Sequence, residues 1–162
     1  MGIESIFERL GADVRLLSRP DRWDRNKDRF LSGIVEDIKV RRMQNDDPDA
    51  KVTITVKNHE GRSLIVYHTA AIAYALCDEA GVRWQDIRNS EESDALDPLV
   101  GRFVCFYYKG QDANRKDMHL FDIWCSADPG HTSREFVRQV WELAQETADL
   151  TPIGVTLDDG DL

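Results

Sequence analysis

The apolar positions of this chain fall into short alternating runs and a few helical stripes. The densest run spans residues 102–109, where Phe103, Val104, Phe106, Tyr107 and Tyr108 crowd into eight positions. A polar stretch containing Gly110 and Asn114 separates it from a second apolar run over 118–125. Two such runs bounded by turn formers predict a long β-hairpin. Phe103, Cys105 and Tyr107 would face one side and Val104, Phe106 and Tyr108 the other. Both faces are apolar, so the hairpin is expected in the middle of a closed or covered sheet.

Three strands are predicted upstream. Over residues 30–42, Ile34, Ile38 and Val40 share one parity, while Val35, Asp37, Lys39 and Arg41 share the other. After a loop rich in Asn, Asp and Pro, Val52, Ile54 and Val56 alternate with Thr53, Thr55 and Lys57, the signature of a half-buried strand. A turn over 58–61 leads to a partner strand at 64–68. Thr69 can then cap a helix over 70–80 that ends at Gly81, with Ile72, Leu76 and Ala80 on one face. Trp84 and Ile87 point inward from a further turn, and 89–94 form an acidic loop.

The flanks read as helices. Ile3, Ile6, Phe7 and Leu10 give residues 3–17 an apolar stripe expected to pack on the sheet, with Gly11 as a stop. The connector over 18–29 is highly charged. Its one large apolar group, Trp23, either anchors it to the sheet or meets a ligand. Thr132 and Glu135 have capping-box spacing ahead of the stripe Phe136, Val137, Val140, Trp141, Ala144 and Ala148. The last residues, 152–162, are acidic and expected to be disordered.

Composition narrows the function classes. No stretch approaches the roughly 20 apolar residues of a membrane span, and no signal-peptide core opens the chain. Cys77, Cys105 and Cys125 form no CxxC pair, so reduced buried thiols in the cytoplasm are expected. The net charge of −9 argues against a generally basic nucleic-acid coat. Residues 1–42 nevertheless carry ten Lys and Arg against eight Asp and Glu, so the acid excess lies downstream. A local basic surface is compatible with this distribution.

The order strand, strand, strand, helix, strand, strand resembles an oligonucleotide/oligosaccharide-binding (OB) domain by topology. This predicts a mainly β protein: a five-stranded antiparallel barrel over 31–126, with a helix between its third and fourth strands. An N-terminal helix and connector (1–30), a C-terminal helix (127–150) and an acidic tail (151–162) flank it. An α+β sandwich built from the same elements is the alternative. The resemblance implies a ligand on the second and third strands, flanked by the first–second and fourth–fifth loops. Stacking aromatics and backbone-tracking cations carry such sites. The residues matching these places are Arg41, Arg42, Thr55, Lys57, Arg62, Tyr67, Lys109, Arg115 and Lys116. Asp46, Asp47 and Asp49 in the 43–51 loop depart from the pattern.

The expected role is non-catalytic binding of single-stranded nucleic acid, as a replication, recombination or phage/plasmid accessory protein with no cofactor. A second reading makes the acidic surface or tail the functional part, as an adaptor or inhibitor of a nucleic-acid-binding partner. A third takes Pro20-Asp21 and Asp37-Ile38-Lys39 as the PD…(D/E)xK spelling of a Mg²⁺-dependent nuclease. His59, His68, His119 and His131 show no metal-ligand spacing, and neither a phosphate loop nor a nucleophile elbow is present. Phe136 and Trp141 leave a homodimer open.

Overall fold

The twelve-residue strand β2 (Phe30–Arg41) is the one to which the others are referred. The computed structural model describes residues 2–14, 21–44, 46–127 and 133–153. Before β2 come the short helix α1 (Glu4–Arg9) and the two-residue strand β1 (Asp21–Arg22). After it come β3 (Lys51–Asn58), β4 (Ser63–Val66), α2 (Ala70–Ala80) and α3 (Trp84–Ile87). A two-residue strand β5 (Glu92–Ser93) and a 3-10 turn (Asp97–Leu99) follow. The chain then forms the hairpin β6 (Phe103–Gln111) and β7 (His119–Cys125), and finally α4 (Arg134–Thr147).

The described strands make one seven-stranded sheet in the order β1-β4-β3-β2-β6-β7, with β5 paired to β2. β2, β3 and β4 form an antiparallel meander, and β6 returns beside β2, which is a Greek-key arrangement. The expected closed five-stranded barrel does not form. The outer edge of β4 is taken by β1, in parallel, and β7 ends the sheet on the other side. The helix falls between β4 and the hairpin, where the sequence placed it.

Register explains the burial. Glu36 is an extra residue in β2, and pairing with β3 shifts between Val35 and Asp37. That bulge resets the parity, so Val35, Ile38 and Val40 are all buried while Ile34 turns to the opposite face. Val52, Ile54 and Val56 of β3 are wholly buried. They meet Val104, Phe106 and Tyr108 from β6, and Ile72 and Leu76 from α2, in the main core. Where β2 crosses β3, Gly33 leaves no room for a side chain. A Cβ there would stand 2.3 Å from the Lys57 carbonyl oxygen.

The second apolar face of β6 is covered, as its composition demanded. Phe103 and Cys105 pack under Val137 of α4, and Phe136 meets Phe103 edge-on at 4.9 Å. Ser32 Oγ donates to the Val137 carbonyl, and Trp141 stacks on His59 at 4.0 Å. Both aromatics that could have served a dimer therefore face this sheet. The helix is capped by Ser133, whose hydroxyl accepts from Phe136 N, while Thr132 lies outside the described residues.

Two further expectations change. The N-terminal helix is one short element, with Ile3, Ile6 and Leu10 exposed and Phe7 half-buried. Residues 151–153 are tied down: Ile153 N donates to Asn26 O, and the Ile153 side chain meets the core. The acidic remainder of the tail lies outside the described residues. All three cysteines are free thiols, and Cys105 and Cys125 face opposite sides of the hairpin because they pair with Trp124 and Val104. Burial pushes the Cys105 thiol up to about 12. Among the described residues no helix is long and apolar enough to cross a membrane.

Candidate nucleic-acid interface

The alternation that buries Val52, Ile54 and Val56 sends Lys51, Thr53, Thr55 and Lys57 to the opposite face of β3. After the bulge, β2 contributes Asp37, Lys39 and Arg41 to the same face. The cross-strand pairs are Arg41 with Lys51, Lys39 with Thr53, and Asp37 with Thr55. On the other side Ile65 pairs with Thr55, and Ser63 with Lys57. Tyr67 continues β4 and stays 41% exposed. The Arg22 guanidinium lies 4.8 Å from its ring centroid, within cation–π range. One face of an acidic protein thus carries Arg22, Lys39, Arg41, Lys51 and Lys57 together with an exposed aromatic ring, although Glu36, Asp37 and Glu92 lie among them: Arg41 pairs with Glu92 across β2 and β5, and Glu36 accepts from Ser63 Oγ. Its nearest ion pair, Lys39 to Asp37 at 3.6 Å, is exposed on both sides and worth little.

A hollow of about 220 Å³ opens beside Tyr67, lined by Met43, Lys51, Thr53, Tyr67 and His68. Its wall is fixed from behind. Val52 N donates to His68 Nδ1 at 3.1 Å, and the imidazole rests on Trp84. Burial, with the nearby Lys51 charge, pushes His68 down to about 4, so the ring is neutral at physiological pH. The acidic 43–51 loop is partly neutralised. Asp49 takes two hydrogen bonds from Arg88, at 3.1 and 2.9 Å, which hold its carboxyl below the usual range.

Of the residues that the sequence singles out, Arg41, Thr55, Lys57 and Tyr67 share this face. Arg62 sits at its end and pairs with Asp21 at 2.7 Å. Arg42 has the opposite parity, donates to the Asn89 carbonyl and pairs with Glu91, so it braces the 89–92 segment. Lys109 pairs with Asp122 across the β6–β7 hairpin. Arg115 and Lys116 lie in the loop closing that hairpin, beyond the start of β2, whereas the 43–51 loop lies beyond its end. A twelve-residue strand is on the order of 40 Å long, so the two loops do not converge on one hollow. Lys51 was legible as the next member of the Lys-Thr-Thr-Lys parity. Arg22 was not, because a two-residue strand has no pattern.

The nuclease spelling is not assembled. β4 and β3 separate Asp21 in β1 from Asp37 in β2, about 14 Å at normal strand spacing, and Asp21 is engaged by Arg62. Among the described residues no group of three His, Cys, Asp or Glu is placed to hold a metal ion. Compared with protein-family models, curated proteins and solved structures, the chain matches none.

Proposed function

We propose that this protein binds single-stranded nucleic acid, without base-specific reading and without catalysis, on the exposed face of β2, β3 and β4. The carrying observation is that Lys39, Arg41, Lys51 and Lys57 share one sheet face with the exposed Tyr67, on a chain of net charge −9. Cations spaced along strands track a phosphate backbone, and an exposed ring offers a base a stacking surface. The Greek-key path with α2 before the returning hairpin supports an OB-type reading, a family of partly open barrels that bind on these same strands. The role that fits is a cytoplasmic accessory protein of replication or recombination.

Fluorescence anisotropy with a labelled oligothymidylate, against a duplex of the same length, tests the reading. Saturable binding to the single strand, weakened about tenfold or more by Tyr67→Ala, is expected from the value of one stacked base. Absence of binding at low salt sinks it and leaves the acidic surface, with a basic protein partner, as the functional one.

A further inference from the structure

A second cleft, of about 470 Å³, lies on the other side of Tyr67, in the seam where the sheet fails to close. The connector builds it. Trp23 N donates to Ile65 O and the Trp23 ring packs on Phe106 and Phe121, which fixes residues 22–26 between β4 and β7. Arg22 and Arg25, three positions apart, both line it. Arg22 covers Tyr67, and the Arg25 guanidinium lies 5.0 Å from the Tyr108 ring centroid and 5.6 Å from that of Phe121. Neither arginine has a carboxylate within 4 Å among the described residues. Burial is the largest influence on Arg25 and disfavours its charge. Arg25 is half-buried and hydrogen-bonds to the Tyr108 side chain, and Arg22 is exposed; neither charge is offset by a carboxylate contact and both face the cleft. Asp24 is the one acid in the lining, and its carboxylate accepts from Asn26 N at 3.3 Å.

We propose that this cleft is a nucleotide subsite, with a phosphate between Arg22 and Arg25 and an aromatic base on the Arg22–Tyr67 platform. Its size falls within the range of small-molecule pockets, guanidinium forks match phosphate geometry, and bases stack on guanidinium and tyrosine planes alike. The same chemistry is offered by a free mononucleotide and by the phosphorylated end of a strand. The inference goes beyond strand binding on β2–β4; Arg22 and Tyr67 belong to both sites, and Arg25, which the strand face does not use, tells them apart.

The test follows the Nε–Hε signals of Arg22 and Arg25 by NMR while thymidine 5′-monophosphate is added, with thymidine and inorganic phosphate as controls. Saturable shifts at both arginines are expected, about tenfold weaker for either control, as for the loss of one charge-assisted bond. Arg25→Gln should weaken binding about tenfold, Arg25→Lys less, and Asp24→Asn should strengthen it. Thermal unfolding of each variant checks that the fold survives, and Arg25→Lys keeps the test decisive if Arg25→Gln does not fold. A 5′-phosphorylated oligothymidylate preferred about tenfold over its 5′-hydroxyl form, through Arg25, identifies a strand end as the source. If neither the mononucleotide nor the 5′-phosphate affects Arg25, the subsite is refuted, even where the oligonucleotide still binds β2–β4. Mononucleotide binding without strand binding upholds the subsite and refutes the strand reading.

Discussion

Trp23→Ala should be among the most damaging single changes in this protein. Its ring is 6% exposed, lies 6.0 Å from Phe106 and 6.2 Å from Phe121, and donates Nε1–H to the Asp28 carbonyl at 2.7 Å. A buried tryptophan removes about 200 Å² from water, worth about 5 kcal/mol at 25 cal/mol per Å². The retained Cβ and partial collapse of the seam reduce that. The lost hydrogen bond adds little, because Asp28 is exposed and water can replace the donor. The expected loss is about 4 kcal/mol, inside the range for Trp→Ala in cores. In a chain of this size it lowers Tm by roughly 8–16 °C. Trp23→Phe keeps most of the area and should cost only about 1–2 kcal/mol. Urea unfolding followed by far-UV circular dichroism measures both. A loss below about 1 kcal/mol for Trp23→Ala would mean that the connector is not seated in the seam, and the cleft beside it would lose its frame.

Two other changes probe the frame of the site. Gly33→Ala should cost roughly 3 kcal/mol by the same assay, because its Cβ would meet the Lys57 carbonyl at 2.3 Å and Val56 Cγ1 at 2.4 Å; an unchanged midpoint would contradict the close crossing of β2 and β3. His68 is held neutral by burial and the nearby Lys51 charge, with its pKa depressed from 6.5 to about 4, and its Nδ1 accepts from Val52 N. Below pH 6.5 the unfolded chain takes up this proton and the folded chain does not, so stability falls as pH drops from about 6.5 to 4. The full shift corresponds to about 3.4 kcal/mol, and solvent screening of a half-exposed ring reduces it to about 1–2 kcal/mol. His68→Gln should remove that part of the pH dependence; identical pH profiles for the two proteins would refute the assignment.

Alternating runs made the long strands legible. Lys51–Asn58 carries its period-2 signal intact, and that signal alone predicted which side chains of β3 reach solvent. β2 was legible as a strand but not in its facing, because the Glu36 bulge inverts the parity halfway and leaves no mark in composition. The missing closure was not legible either. Whether β4 pairs with β7 or with a two-residue strand depends on a long-range choice, and residues 21–22 have no period of their own. Trp23 was correctly seen as the odd residue of its segment, and only packing decided that it anchors. The candidate face was half legible. Thr55, Lys57 and Tyr67 followed from topology, whereas Arg42, Lys109, Arg115 and Lys116 carry the same charge but lie elsewhere, since charge alone does not encode position.

The most direct measurement is the salt dependence of binding to an oligothymidylate of about 15 nucleotides, in the unmodified protein and in Lys51→Ala/Lys57→Ala. Contacts from Lys39, Arg41, Lys51 and Lys57 to four phosphates predict a log–log slope near −2.8, and the double variant should lower its magnitude by about 1.4. Binding that is insensitive to salt, or a slope that the two alanines leave unchanged, would contradict the claim that this face tracks a phosphate backbone.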